Sequence, residues 1–190
     1  MSSTNRGYDR HISDYYVTPV NEIKKFWEEF KVHNNISTVN YVLDPSAGGD
    51  SKHIMSYPEV LKNEDFELVT MDIRQDSLAA LKGDYLVTKF DKSFDMIFTN
   101  PPFVQALEFL QKALNDVKDD GYVIMLLRLN FLGSRARNEW LKNNMPYEIY
   151  VHSKRISFTD DGKTDSIEYA HFVWKKGYKG ITKLYLLDFE

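Results

Sequence analysis

The order of segments predicts an α/β fold, a doubly wound and mostly parallel sheet with a late antiparallel hairpin. Three observations carry this. Short apolar runs at 39–43, 66–71, 94–99 and 121–127 alternate with stretches of helical periodicity, as βα units do along a chain. The runs at 94–99 and 121–127 are nearly continuous in apolar residues, as strands covered on both faces are. Two later runs, 147–151 and 169–174, bracket a polar loop whose Asp161-Gly162 is a turn signal.

The chain opens on about a dozen polar residues. From 20 to 32, Ile23, Phe26, Trp27 and Phe30 recur at three- and four-residue steps and give one apolar helix face. Pro19 suits the first turn of that helix and Thr18 its cap. The strand at 39–43 runs into Asp44-Pro-Ser-Ala-Gly-Gly-Asp50, and 52–62 is a helix candidate weakened by Pro58. The strand at 66–71 ends on Asp72. A short helix at 77–81 is expected next, then Gly83-Asp84-Tyr85-Leu86 and a brief third strand. The fourth strand, 94–99, stops at Pro101 and Pro102, because neither proline can donate a ladder hydrogen bond. A helix over 102–117 turns Val104, Leu107, Leu110, Ala113, Leu114 and Val117 inward. The fifth strand is 121–127, a helix follows at 134–143, and a last strand covers 181–189.

Bulk properties narrow the classes. With 190 residues, 43% of them hydrophobic, the chain reads as a single globular domain over 1–190. It contains no cysteine, which excludes disulfides and thiolate–zinc sites. No stretch reaches the length of a membrane span and no leader is apparent, so a soluble, cytoplasmic protein is expected. The net charge of −4 argues against a strongly basic nucleic-acid binder, although residues 128–183 carry 11 Lys/Arg against 6 Asp/Glu. The histidines at 11, 33, 53, 152 and 171 show no metal-ligand spacing and read as surface or core residues.

The strand ends carry the chemistry. In open α/β sheets ligands sit at the carboxyl edge. There Ala47-Gly48-Gly49 lets the backbone approach a ligand closely, with Asp44 over the same edge. Asp72 stands where a carboxylate takes a ribose diol, and Asp84 with Tyr85 suits an adenine edge and face. Asn100 offers an amide oxygen and Pro101 a carbonyl with no N–H, two acceptors for one exocyclic NH2, with Phe103 near enough to stack on a planar ring.

The series Thr18-Pro19, Asp44-Pro-Ser-Ala-Gly48-Gly49, Asp72, Asp84-Tyr85 and Asn100-Pro-Pro-Phe103 resembles the S-adenosylmethionine-dependent amino-methyltransferases. Within them it is similar to the DNA adenine-N6 methyltransferases, above all the small phage and prophage type. Arg155-Ile-Ser-Phe, Asp165 and Tyr169-Ala-His-Phe-Val-Trp174 extend the likeness, which spans about residues 15–175. The resemblance implies a Rossmann-like, seven-stranded sheet, the class I methyltransferase fold. It implies S-adenosyl-L-methionine as cofactor, with Thr18, Pro19, Asp44, Pro45, Ala47 and Gly48 at its methionine end, Asp72 on the ribose, and Asp84 and Tyr85 on the adenine. It implies methyl transfer to the N6 amino group of adenine in DNA, catalysed by Asn100, Pro101, Pro102 and Phe103, with Phe103 and Arg155 toward the substrate. RNA bases, protein glutamine amides and a catalytically silent cofactor-binding subunit are the other readings of the same tetrapeptide. Asp50 departs from the glycine that many relatives carry and reads as a cap for the following helix. No separate target-recognition domain is expected, which leaves room for self-association or a specificity partner.

Overall fold

The computed structural model describes residues 17–158, 164 and 166–188. Asp161-Gly162, Asp165, His11 and the polar opening residues lie outside the described residues. The elements run α1 (Val20–His33), β1 (Tyr41–Asp44), α2 (Ser56–Leu61), β2 (Glu67–Asp72), β3 (Leu81–Lys82), β4 (Phe94–Thr99), α3 (Ala106–Asp116), β5 (Val117–Arg128), α4 (Arg135–Asn143), β6 (Glu148–His152), β7 (Tyr169–Lys175) and β8 (Lys183–Leu187). Together the strands make one eight-stranded sheet in the order β3-β2-β1-β4-β5-β7-β6-β8. Pairing is parallel from β3 to β5; β7 runs antiparallel to both β5 and β6, and β8 returns parallel to β6. The doubly wound architecture with a late hairpin is as the sequence predicts. The eighth strand is an addition to the expected seven, laid along β6.

Alternation along the strands divides the core. On β4, Ile97 faces α3 together with Val123, Phe172 and Trp174, and Phe94 joins them because a bulge follows it before Met96. Met96 and Phe98 face α1 and α2, with Ile23, Phe26, Trp27, Phe30 and Tyr57. Helix α1 lies against the sheet on the face its spacing predicts, and its four apolar residues are at most 1% exposed.

Four expectations are corrected. Residues 77–81 form no helix; the chain turns there so that Leu81 and Lys82 can pair with Met71 and Asp72, and this pairing is the brief third strand, placed before Gly83 rather than after Leu86. The third helix begins at Ala106, because 103–105 is a tighter 3-10 turn. Val104 falls in that turn and is 85% exposed, while Leu107, Leu110, Ala113 and Leu114 pack inward as expected, joined by Phe109, and Val117 is buried as the first residue of β5. Thr18 does not cap α1, whose N-cap is Pro19 with no side-chain hydrogen bond. Asp50 does not cap α2 either: its carboxylate takes the N–H groups of Lys52 and His53, closing a turn ahead of the helix. Those hydrogen bonds, Lys52's first, hold it down to about 2.

Candidate active site

At the carboxyl edge of β1, β2 and β4 lies a cleft of about 870 Å³, counting its open mouth. Thr18, Pro45, Ala47, Gly48, Asp72, Asp84, Tyr85, Asn100 and Pro102 line it, so nine of the expected site residues converge on one space. Asp44, Pro19, Pro101, Phe103 and Arg155 are not in the lining.

The floor is built by the turn after β1. Gly48 and Gly49 both take positive φ (65° and 71°), which a side chain at either position would resist. A Cβ on Gly49 would also stand 2.8 Å from the Met55 side chain. The Gly48 N–H donates to Asp72 Oδ2 at 2.8 Å, and the Arg74 N–H donates to Asp72 Oδ1 at 2.8 Å. Each carboxylate oxygen has two lone pairs, so Asp72 keeps acceptor capacity toward the cleft. Arg74 ties the two turns together by donating to the Gly49 carbonyl at 2.9 Å, its guanidinium 3.6 Å from Asp72.

Asp44 sits behind the lining, 1% exposed. Its Oδ1 accepts from Thr99 Oγ1 at 2.7 Å and from the Ser46 N–H at 3.1 Å, while Oδ2 is buried with no hydrogen-bond partner. Burial pushes its carboxyl up to about 7, against those two hydrogen bonds and with help from the charge on Asp72.

Asp84 accepts the Leu86 N–H at 2.9 Å, and its carbonyl takes the Thr88 hydroxyl at 2.7 Å. The Tyr85 ring is 2% exposed and packs on Phe109, with centroids 5.2 Å apart and the Lys112 ammonium 4.8 Å over its ring. Its hydroxyl is buried, and burial, with the charge of the Asp116 carboxylate, raises its pKa.

The Asn-Pro-Pro-Phe segment leaves the sheet where β4 ends. Asn100 Nδ2 donates to Thr18 Oγ1 at 3.0 Å. Its Oδ1 is buried and has no hydrogen-bond partner. An amide oxygen in that state costs free energy unless a ligand completes it. Phe103 is wedged beyond the cleft, with the Arg128 guanidinium 4.8 Å from its ring and Tyr169 at 5.7 Å. Arg155 is half-exposed and faces Glu168 at 3.6 Å.

Several lining residues escaped the sequence reading. Ile54 and Ile73 are more than half exposed yet line the cleft. Ile73 directly follows the acid that ends β2, a position that could have marked it as an apolar cleft wall. Tyr57 and Ser56 enter from α2, a helix discounted for its Pro58, although proline is tolerated within a first helical turn. Among the described residues no cluster of His, Asp or Glu is suited to a metal.

No protein-family model and no curated protein matches the sequence. Solved structures do. A candidate class I S-adenosylmethionine-dependent methyltransferase from Listeria monocytogenes superposes with a TM-score of 0.61 at 14% identity, over 90% of this chain and 64% of its own. The methyltransferase subunit of a type I restriction-modification system from Streptococcus thermophilus gives 0.64 at 14%, over 86% of this chain but 45% of its own. A candidate RNA methyltransferase from Pyrococcus horikoshii gives 0.63 at 17% and is matched nearly end to end, over 92% and 94%. The chain therefore spans less than two thirds of the first two. At these identities the likeness carries the fold: the protein is built on the frame of the class I methyltransferases.

Proposed function

We propose that this chain is an S-adenosylmethionine-dependent methyltransferase acting on the N6 amino group of adenine in DNA. The observation that carries the reading is the buried, unpartnered Asn100 Oδ1 at the edge of the cleft. It is an acceptor held ready for an N–H donor, at the point where Pro101 can offer only a carbonyl.

The residues present fit the cofactor. Asp72 has acceptor capacity for ribose hydroxyls. The Gly48-Gly49 turn leaves room for close approach, and Ile73 gives an apolar wall to a purine. The unpartnered Asp44 Oδ2 suits a cationic ligand close by. S-adenosylmethionine, when bound, supplies a methyl group on a positively charged sulfur. The protein's own part is to hold the amino group. An adenine amino lone pair is delocalised into the ring. Accepting its two N–H groups at Asn100 Oδ1 and the Pro101 carbonyl favours a pyramidal nitrogen with the lone pair aimed outward. With the cofactor bound, the amino group would give up one of the two protons held at Asn100 Oδ1 and the Pro101 carbonyl, and that proton would pass to water. Phe103 and Arg155, outside the cleft, are assigned to the flipped base and the strand around it.

The fold likeness to a restriction-modification methyltransferase subunit favours DNA as substrate, and self-association or a specificity partner belongs to the same reading. The test is to incubate the protein with labelled S-adenosylmethionine and adenine-containing DNA, RNA or glutamine-bearing protein, then digest and separate the products. N6-methyladenine from DNA is expected. Label in RNA nucleosides or methylglutamine reassigns the substrate, and no label in any pool overturns the reading.

A further inference from the structure

Across β4 from the cofactor cleft, a second cluster of side chains crowns the sheet. Strand β5 stands between β4 and β7, and its Met125 pairs with Thr99, the residue before Asn100. Three residues further on, Arg128 ends β5 opposite Tyr169 of β7. Arg128, Tyr169 and Phe103 are all outside the cleft lining, and they stand together. The Arg128 guanidinium lies 4.8 Å over the Phe103 ring, and the Tyr169 ring is 5.7 Å from it. Leu126 and Ile156 complete the apolar cluster beneath them.

Arg128 is half-buried, and its Nε is fully buried with no hydrogen-bond partner. Among the described residues it makes no ion pair either. Arg137 is a useful contrast. It too lies over a phenylalanine, 4.6 Å from the Phe131 ring, but its Nε donates to the Phe131 carbonyl at 2.9 Å. Arg155 faces the Glu168 carboxylate. Arg128 has a ring beside it and neither an acceptor nor an acid. A cation–π contact is weaker than the hydrogen bonds to water that a guanidinium gives up on burial, so Phe103 alone leaves this charge uncompensated. An anion would complete it, and the forked donors of arginine match a phosphate. The balance of charge over 128–183, 11 Lys/Arg against 6 Asp/Glu, favours an anion in the same region.

We propose that Arg128 is a substrate-binding residue that takes a backbone phosphate beside the target base, so that the substrate of this site is a nucleic acid and not a protein amide. A base swung out of its strand brings its flanking phosphates with it. The ring assigned to that base, Phe103, is the ring that Arg128 stands over. A glutamine side chain brings no obligatory anion. The proposal rests on the methyltransferase reading for its geometry, and its test reads binding rather than methyl transfer.

Wild-type protein and Arg128→Gln are titrated with a fluorescent oligonucleotide at several salt concentrations. Losing one phosphate contact should weaken binding about ten- to a hundredfold at low salt, the scale of a hydrogen bond to a charged group. The slope of log affinity against log salt should fall by about 0.7–0.9, equally for oligonucleotides of different sequence. Arg128→Lys keeps the charge and should keep the slope, as should Arg137→Gln. An unchanged slope in Arg128→Gln overturns the proposal. A loss confined to one sequence also overturns it, because Arg128 is then a base reader, and so does a wild-type protein that binds neither DNA nor RNA. Where Arg128→Gln fails to fold, the 15N–1H signal of the buried Arg128 Nε–H, identified by its absence from Arg128→Lys, decides instead. It should move as oligonucleotide is added to the wild-type protein, and a signal unmoved at saturation overturns the proposal. A protein that binds oligonucleotide through Arg128 and methylates no substrate loses the functional reading and keeps the phosphate site.

Discussion

Three residues make separable predictions about the cleft. Asp72→Ala removes acceptors for a ribose diol, so S-adenosylmethionine affinity should drop by about 1.5–3 kcal/mol, the scale of a hydrogen bond to a charged group. Calorimetry that finds unchanged affinity in a folded variant removes Asp72 from the site. Asn100→Ala should leave cofactor affinity nearly intact and cost roughly 10²–10³ in turnover, since it deletes one preorganised polar contact. Asn100→Asp should be milder because it keeps an acceptor. Asp44 bears on stability. Its folded pKa of about 7 lies above the ordinary 3.8, so the folded state binds the extra proton. Stability is then lost as pH rises from about 4 to 7, by on the order of 4 kcal/mol at 1.36 kcal/mol per pH unit. Asp44→Asn removes that slope, and urea unfolding at about pH 5 and pH 8 should show a smaller fall than in the wild type. Equal slopes would falsify the assignment. At this scale the sequence was most legible where chemistry and position coincide, at Asn100, Asp72 and Gly48. It read His152 and His171 only as surface or core residues, since a polar residue inside an apolar strand declares no partner until the sheet is assembled.

At the scale of elements, α1 and the four central strands were legible because their apolar spacing has a single solution. The 77–81 segment was not. Its local pattern permits a helix, and the pairing of Leu81 with Met71 decides against it. Strand β5 likewise begins earlier than its apolar run. Val117 pairs with Phe94 before a bulge resets the register at Met96 and Tyr122. A Cβ on Gly121 in that bulge would stand 2.8 Å from the Lys118 carbonyl, so the glycine reads as a start but is a crossing point. The amino ends of β1 and β4 are stitched by a side chain. Asp95 Oδ2 accepts the Asn40 and Tyr41 N–H groups at 3.0 and 2.9 Å, and its Oδ1 pairs with Lys118 at 2.6 Å. Burial raises the Asp95 pKa, and the Lys118 and backbone hydrogen bonds outweigh it and hold it below the ordinary value. Its contribution is present above about pH 4 and is lost as pH falls through the lowered folded value. Asp95→Ala should cost about 1–3 kcal/mol at neutral pH. The gap from wild type should narrow near pH 3, and a gap independent of pH in urea unfolding contradicts this role.

For the whole molecule, a ligand that binds only the folded cleft must stabilise all of it. S-adenosylmethionine at a hundred times its Kd adds about 2.7 kcal/mol, which for a domain of this size raises Tm by roughly 5–10 °C. A melting temperature unmoved at saturating cofactor excludes the cleft as its site. Among the described residues no helix is long and apolar enough to cross a membrane. The groups that meet behind the cleft come from distant parts of the chain. Asn100 and Thr18 are 82 positions apart, and Tyr57 and His171 are 114 apart. That separation has a meaning in time. At about 5–20 residues per second on the ribosome, Tyr57 waits roughly 6–23 s for His171 to be made. Meanwhile β1, β2 and β4 can assemble a cleft floor, but the strand that carries His171 has not emerged. A half-made chain therefore has the strands that line the cleft before it has β7, and the sheet beyond β5 closes only once that strand has been translated and docked.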